Sequence, residues 1–323
     1  MLDDMIIKSR VSAINKQIAL IHNTKSKSIK SIFKNIKFTS GKRLRGLLVL
    51  LTAEANGLKV NKALLNIAAS IEILHHATLI HDDIVDGSDK RRGNLALNKK
   101  IGETLSVLTG DYLFSGAMEA MLKSRNYELF NIFAKAVKDV CEGEIDEVFN
   151  KYNAKLTVSE SLEIIRKKTA SLIKGSVESG AHASKCSKTD LKHIKIYGEY
   201  LGMAFQIKDD LLDITSKTSK IGKSSGTDIR EGKATLPLIL ALKCAPKKEK
   251  HFIMKLFKNN IHGKNTKKII DFIFKYDGNE LAGLMALSYV TDAKVALGKT
   301  KLENKVAKEM LSDLADYVIE REY

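Results

Sequence analysis

The sequence predicts an all-α protein, and three observations lead to that prediction. The chain of 323 residues has only 2 Pro and 20 Gly, too few turn-forming residues for a β-sandwich or barrel of this size. Apolar residues make up 44% of the chain and charged residues 28%, a globular composition that argues against disorder. Apolar residues recur with helical periodicity, and no run of strands stands out. We expect one helical domain over residues 1–323.

The individual elements follow from this periodicity. Residues 61–80 are apolar on nearly every side, as is typical of a helix buried in a bundle. One stripe of that helix consists of Leu64, Ile67, Ile71 and Leu74. Residues 189–214 form a second long helix, and residues 236–244 begin another with Pro in the first turn. Residues 215–235 lie between these helices and predict a long loop of the functional kind.

The formal net charge of +16 is compatible with nucleic-acid binding, but other features oppose that interpretation. Aromatic residues are only 6% of the chain, and no nucleic-acid motif is evident. Most basic residues are Lys, which we expect to solvate the surface. Four of the nine Arg lie in two short segments, 43–45 and 91–92. Clustered Arg indicates a planar oxyanion such as phosphate.

Cysteine usage and the N-terminus predict an intracellular protein. The three Cys are odd in number and widely spaced, without a CxxC pair. The N-terminus reads MLDDMIIKSR, whose two acids are unlike a signal peptide. No uncharged stretch reaches the ~18 residues of a transmembrane helix. We expect a cytoplasmic location, compatible with transient peripheral contact with a membrane.

Two acidic clusters stand apart from the rest of the sequence. They are Asp82, Asp83 and Asp86 in HDDIVD, and Asp209, Asp210 and Asp213 in KDDLLD. Each DDxxD motif ends an apolar helix and places its first and last carboxylates on one face, where the helix dipole favours positive charge. Oxygen ligands of this kind suit Mg²⁺, whose other positions go to water and phosphate. A solvated helix end would explain one such motif; two copies favour a metal site.

Basic residues flank both acidic clusters. They are Lys42 and Arg45 in GKRLR, Arg91 and Arg92 in RRG, and Lys223 and Lys233 in the long loop. Acids for Mg²⁺ beside bases for phosphate predict a diphosphate site.

With these motifs in place, the sequence resembles the trans-polyprenyl diphosphate synthases. The landmarks run in the family's order from GKRLR (41–45), E-x-x-H (72–75), HDDIVD with RRG (81–93) and TGDYL (109–113) through GE (143–144), KTA (168–170), FQIKDDLLD (205–213) and GTDIREGKATLPL (226–238). The resemblance implies an isoprenoid-synthase-type bundle of helices around a central cavity, usually as a homodimer. The string HATLIHDD is most like that of bacterial octaprenyl diphosphate synthases.

The resemblance also implies a reaction. Isopentenyl diphosphate would condense with an allylic diphosphate, farnesyl diphosphate, to give a long all-trans product of octaprenyl length for quinone side chains. About three Mg²⁺ ions would stabilise the departing diphosphate while an allylic carbocation forms. The alkene of isopentenyl diphosphate attacks that cation, and a proton is then lost. No side-chain nucleophile is required.

Site residues are carried over from the resemblance by position. The metal ligands would be Asp82, Asp86 and Asp209, and the further catalytic residues would be Asp83, Asp210 and Lys168, with Asp213 in support. The isopentenyl diphosphate ligands would be Lys42, Arg45, His75 and Arg92. The allylic diphosphate ligands would be Arg91, Lys168, Thr169, Gln206, Lys223 and Lys233. The residues that set product length would be Ala77 and Thr78.

Several alternatives stay open at this point. Taken singly, His75, Lys168 and Gln206 would also suit ordinary structural positions. The chain departs from the family pattern at Gly46, at residues 95–98 and at Glu147, where the family often has Pro, P-T-x-N and Gln. Other functions are a short-chain farnesyl or geranylgeranyl synthase, a terpene cyclase or a non-catalytic partner subunit. The intact acidic and basic motifs oppose the last two.

Overall fold

The structure, a computed structural model, describes residues 5–36, 41–91, 93–215, 226–259 and 263–321. Within these ranges it is almost entirely α-helical, which confirms the predicted fold class. A short antiparallel hairpin joins β1 (Lys90–Arg91) to β2 (Asn94–Leu95), with Arg91 opposite Asn94.

The helices divide the chain as follows. The first eight are α1 (Met5–Ile21), α2 (Lys27–Phe33), α3 (Leu44–Ala55), α4 (Lys62–Val85), α5 (Leu97–Ile101), α6 (Glu103–Leu122), α7 (Tyr127–Phe149) and α8 (Val158–Ile165). A π-helical turn then covers Arg166–Ala170. The others are α9 (Ser171–Ala183), α10 (Lys188–Thr215), α11 (Thr227–Arg230), α12 (Leu236–Cys244), α13 (Lys247–Asn259), α14 (Lys264–Lys275), α15 (Gly278–Gly298) and α16 (Lys305–Glu320).

The chain divides into two compact units. Unit 1 comprises Met1–Lys135, Gly175–Lys195 and Lys299–Leu314, and unit 2 comprises Ala136–Lys174, Ile196–Gly298 and Ala315–Tyr323. The first acidic motif lies in unit 1 and the second in unit 2. The single domain expected over residues 1–323 stays a prediction.

Helix α4 is the central element of unit 1. It packs most extensively against α6 and also contacts α3 and α1. The predicted stripe is confirmed, because all four of its side chains are at most 2% exposed: Leu64, Ile67, Ile71 and Leu74. Removing such a side chain from water contributes about 1.5–3 kcal/mol. This packing fixes the direction of α4, which ends at Val85 with the first acidic motif at its C-terminus.

Unit 2 is built around α10 and α12. Gly202 of α10 lies so close to Ala170 of the π-helical turn that an added Cβ would collide with the Ala170 backbone. The absence of a side chain there brings α10 against the turn. Helix α12 begins with Pro237 in its first turn, as predicted, and packs against α14 and α15. Its buried Leu238 joins the core with Phe257 of α13.

Two of the described helices are long and apolar enough to cross a membrane by length and composition alone, namely α4 and α15. Most of the apolar window of α4 is buried inside the protein, as is typical of the central helix of a bundle. Helix α15 is buried over a third of its window and exposes Leu284, Leu287 and Val295.

Candidate active site

The middle carboxylate of the first acidic motif is held by an arginine. Asp83 is 5% exposed, and its Oδ1 accepts hydrogen bonds from Arg91 Nε at 2.8 Å and Nη2 at 2.6 Å. The β1–β2 hairpin turns back at Gly93, whose φ of +76° suits glycine, and so places Arg91 against the end of α4. Asn98 donates to the backbone oxygens of Asp83 and Ser88 and holds the same turn. Asp82 and Asp86 keep partial contact with solvent.

The segment that carries Lys42 and Arg45 is anchored to α4 by the residue between them. Arg43 is buried and has a left-handed backbone, φ +52°, which is uncommon for a side chain other than glycine. Its Nη1 lies 3.1 Å from His76 Nε2 and 3.6 Å from Glu72 Oε2. Backbone strain of this kind persists only where surrounding contacts enforce it. These contacts place the segment beside α4, one residue from His75.

Gly46, one of the departures from the family pattern, completes this network. Its backbone N–H donates to Glu72 Oε1 at 2.8 Å, a hydrogen bond that proline could not make. A Cβ at Gly46 would approach Glu72 Cγ to 3.0 Å and Ile14 Cδ1 to 3.1 Å. The hydrogen bond therefore excludes proline at this position, and the close contacts disfavour any side chain larger than glycine's. Sequence reasoning missed Arg43 and His76 as parts of the site.

In the second acidic motif the buried middle carboxyl has an amide as its hydrogen-bond partner where the first motif has an arginine. Asp210 is 4% exposed and accepts a hydrogen bond from the Gln206 amide at 2.9 Å. Burial, together with the nearby Asp209 carboxylate, raises the pKa of Asp210 to about 8. Gln206 in turn accepts from the Thr169 hydroxyl at 2.7 Å. The π-helical turn carries Thr169, and such turns often occur at functional sites.

The outer carboxylates of the second motif have partners that the sequence did not indicate. Asp209 Oδ1 lies 2.6 Å from Arg321 Nη2, and the Arg321 guanidinium also stacks over the Phe205 ring at 3.9 Å. Asp213 accepts the backbone N–H groups of Thr227 and Asp228 and so fixes the start of α11. Arg321 lies far along the chain from every motif, so no local pattern could reveal it.

A cleft of about 100 Å³, open to solvent, contains the described phosphate-binding candidates of unit 2. It is lined by Lys168, Thr169, Gln206, Asp210 and Lys233 from the predicted set, and by Glu147 and Asp228, which were not predicted. Arg92 and Lys223 lie outside the described residues.

Acidic side chains hold the two lysines of this cleft. Lys168 Nζ lies 2.6 Å from Glu147 Oε2 and 2.5 Å from Glu144 Oε2. Lys233 Nζ lies 2.9 Å from Glu231 Oε2 and 3.6 Å from Glu147 Oε2. Glu147, another departure from the family pattern, therefore contacts both lysines.

The second acidic motif and its surroundings contain buried carboxyls that a cation would stabilise in the charged form. Burial and the Asp213 carboxylate raise the pKa of Asp228 well above its ordinary value, as burial does for Asp210. Among the described residues, no three acids or histidines converge closely enough to hold a metal by themselves. One or two oxygen ligands in each motif fit Mg²⁺, which fills its other positions with water and phosphate.

Comparison with known proteins agrees with this geometry. A family model described as polyprenyl synthetase matches residues 26–273, most of the chain. The chain belongs to the polyprenyl synthetase family. Family membership makes it a prenyltransferase of the prenyl diphosphate synthase class, and divalent metal use is a property of that family.

Relatives in the polyprenyl synthetase family bear names for several product lengths. The short chain isoprenyl diphosphate synthase of Methanothermobacter thermautotrophicus is 36% identical over 88% of this chain and 87% of its own. Heptaprenyl diphosphate synthase component 2 of Bacillus subtilis is 31% identical over 99% of this chain and 92% of its own. Octaprenyl diphosphate synthase of Escherichia coli is 38% identical over 62% of each chain.

Solved structures of the polyprenyl synthetase family show the same fold. The polyprenyl synthase of Caulobacter crescentus, complexed with calcium and isoprenyl diphosphate, superposes with a TM-score of 0.92 at 32% identity. The superposition covers 98% of this chain and 96% of that one. The predicted bundle of helices is thereby confirmed at the level of the family.

Proposed function

We propose that the chain condenses isopentenyl diphosphate with farnesyl diphosphate and releases an all-trans polyprenyl diphosphate of octaprenyl length. The observation that carries the proposal is that basic side chains lie beside each acidic motif, where they would bind a diphosphate. Arg91 contacts Asp83 in unit 1, and Lys168 and Lys233 line the same cleft as Asp210 in unit 2. The names of the relatives support the condensation.

Within this proposal each group of residues has one task. Asp82, Asp86 and Asp209 would hold Mg²⁺, which when bound neutralises the diphosphate and assists its departure. Lys168, Thr169, Gln206 and Lys233 bind the allylic diphosphate, because their polar atoms line one cleft. The residues that bind isopentenyl diphosphate are Lys42, Arg45 and His75.

The proposed product length depends on α4. Ala77 is buried and Thr78 half-buried, about one turn before Asp82. The Thr78 hydroxyl donates to the His75 carbonyl at 2.9 Å. Small side chains at both positions would obstruct a growing hydrocarbon chain less than aromatic ones, which supports a long product.

Sizing of radiolabelled products tests this proposal. We expect octaprenyl products from the wild type and shorter products from Ala77→Tyr. Because Ala77 is tightly packed, a tyrosine there forces its neighbours to move. Thr78→Phe provides the second variant at a partly exposed position, with melting curves to verify folding. Wild-type products of farnesyl or geranylgeranyl length would contradict the proposed length, and absence of any condensation would contradict the reaction.

We also propose that the chain forms a homodimer through α6. Leu105, Leu108 and Tyr112 recur at helical spacing and are each at least 39% exposed. An apolar stripe of this kind on a surface helix marks an interaction surface. Analytical ultracentrifugation should give a dimer for the wild type and a monomer for Leu108→Glu. A wild-type monomer would contradict the proposal.

A second candidate assembly is a pair with a different chain. The Bacillus subtilis relative is named as component 2 of its synthase, which supports a heteromeric arrangement for a chain of this type. The two assemblies differ in the activity of the purified chain. A homodimer condenses substrates alone, whereas a component of a heteromer requires its partner.

A further inference from the structure

Two helices outside the sites described above concentrate positive charge. They are α13 and α14, both within unit 2. From residue 247 to residue 275 the sequence contains nine Lys, no Arg and two acids, Glu249 and Asp271. These residues therefore carry seven of the 16 net positive charges of the chain. The sequence interpretation treated such lysines as solvation.

Packing fixes which side of each helix faces outwards. The core of unit 2 contains Ile253 and Phe257 from α13, and Ile269, Phe272 and Ile273 from α14. Because these apolar faces are buried, most of the charged residues fall on the opposite faces. Both helices are consequently amphipathic, with basic outer faces.

Large aromatic side chains lie exposed among these lysines. Phe252 is 55% exposed, with Lys248 one turn before it and Lys255 one turn after it. Phe274 is 42% exposed, and Lys267 lies two turns before it on the same face. An aromatic ring left in water loses the free energy that burial would give it. A face that combines exposed Phe with Lys fits a partner that is both anionic and apolar.

An ion pair joins the two outer faces. Lys275 Nζ on α14 lies 2.7 Å from Glu249 Oε2 on α13. Glu249 is one turn from Phe252, and Lys275 adjoins Phe274. Phe252 and Phe274 therefore lie on the outer faces of two helices that this ion pair joins. We call this surface the lysine face, defined by Lys248, Phe252, Lys255, Lys267 and Phe274.

We propose that the lysine face binds the surface of an anionic lipid bilayer. The apolar faces of both helices are buried in the core, so contact with a bilayer would be made by the lysines and by the two exposed phenylalanines. Each lysine near an anionic leaflet contributes about 1 kcal/mol, and phenylalanine enters the boundary between headgroups and acyl chains. Nucleic acid is the competing partner, because lysine also contacts phosphates. A lipid surface fits better, because the segment lacks arginine, whose planar fork pairs bidentately with base edges and phosphates.

Co-sedimentation of the full chain with lipid vesicles tests this proposal. The vesicles contain phosphatidylcholine alone or with added phosphatidylglycerol, and no substrate is present. We expect binding only to the anionic vesicles, weakening as salt is raised. Replacing Lys248, Lys255 and Lys267 together by Gln should weaken binding about 100-fold, from about fivefold per lysine. Replacing Phe252 and Phe274 by Gln should also weaken it.

A matched triple variant provides the control. Lys299, Lys301 and Lys305 are exposed lysines of unit 1, and their replacement by Gln removes the same charge. We expect that variant to bind vesicles as the wild type does. An equal loss in the control, no binding to anionic vesicles, or tighter binding to duplex DNA than to vesicles would overturn the proposal.

The proposal and the proposed condensation can fail separately. Vesicle binding is measured without substrates, so a chain that fails to condense them can still be tested for vesicle binding. Turnover of soluble short substrates should be unchanged in the lysine variant, because none of its three positions belongs to the catalytic residues. A variant that loses both vesicle binding and thermal stability would be replaced by the phenylalanine variant.

Discussion

Asp83 and Asp210 occupy the same place in the two acidic motifs, and both are about 95% buried. Asp83 accepts two hydrogen bonds from an arginine, Arg91, one from Nε and one from Nη2. Asp210 has a neutral amide partner, Gln206, and its raised pKa of about 8 keeps it protonated near neutral pH. One motif thus compensates a buried carboxylate with a cation and the other with a proton.

The difference shows that one sequence pattern can place carboxylates in two electrostatic environments. In unit 1 the β1–β2 hairpin, a few residues after the motif, places Arg91 against Asp83. In unit 2 the arginine beside the motif, Arg321, contacts Asp209 and not the buried Asp210. The cleft lysines, Lys168 and Lys233, are in contact with Glu147. The buried carboxyl of the second motif is therefore stabilised by its proton and by the Gln206 amide.

The largest expected effect tests what the motifs share. Asp82→Asn and Asp209→Asn should each lower kcat at least about 100-fold, because each removes a proposed metal ligand. Asp89→Asn is the control, since Asp89 is exposed and pairs with Lys99 at the surface. Steady-state kinetics with saturating Mg²⁺ measures the effect. A lower kcat for only one of the two variants would mean that the two motifs do not share a role.

A second experiment tests the cation in unit 1. Arg91→Gln leaves the buried Asp83 without its charged partner and should lower stability by about 2 kcal/mol. Arg166→Gln removes an exposed ion pair with Glu163 and should cost less than about 1 kcal/mol. Urea denaturation of both variants gives the comparison. Equal losses would show that Asp83 does not depend on Arg91.

A third experiment tests the proton in unit 2. Folded Asp210 keeps its proton up to about pH 8, whereas the unfolded chain releases it near pH 4. The folded state therefore binds more protons in this window, and its stability falls as pH rises from about 4 to about 8. Asp210→Asn removes the carboxyl group and, with it, this decrease in stability at higher pH.

The expected result is a change in relative thermal stability. Between pH 6 and pH 9, without divalent ions, the Tm of Asp210→Asn should rise relative to wild type by about 2 °C or more. Asp83→Asn, which removes the carboxylate paired with Arg91 in the first motif, is the comparison variant. If the Tm of wild type and of Asp210→Asn changed with pH in the same way, the protonated state of Asp210 would be contradicted.

The smallest expected effect concerns Glu147. Glu147→Gln keeps the size of the side chain but removes the charge that contacts Lys168 and Lys233. The KM for the allylic diphosphate should fall about threefold, in line with a partly exposed ion pair. Glu163→Gln is the control on the neighbouring α8. A raised KM would show that Glu147 assists binding instead of competing with the diphosphate.

Much of this organisation follows from local sequence. The buried stripe of α4 and the position of both motifs at helix ends depend on periodicity within single helices, which is readable along the chain. Arg91 was predicted as a diphosphate ligand, and its contact with Asp83 depends on the turn at Gly93. The contact could not be predicted from the sequence, because it depends on the backbone conformation of that turn.

Other parts of the site depend on contacts between distant segments. Arg321 reaches Asp209 from more than a hundred residues away, and no spacing rule connects them. Arg43 has the sequence appearance of a third basic residue in GKRLR, yet it is buried against Glu72. The lysine face emerges only when packing shows which sides of α13 and α14 are free of the core.

The most direct test of the account is the Mg²⁺-dependent condensation of isopentenyl diphosphate with farnesyl diphosphate by the purified chain. We predict turnover that stops on chelation with EDTA and returns when Mg²⁺ is restored. Condensation that persists after complete removal of divalent ions would contradict the central claim that both acidic motifs act through Mg²⁺.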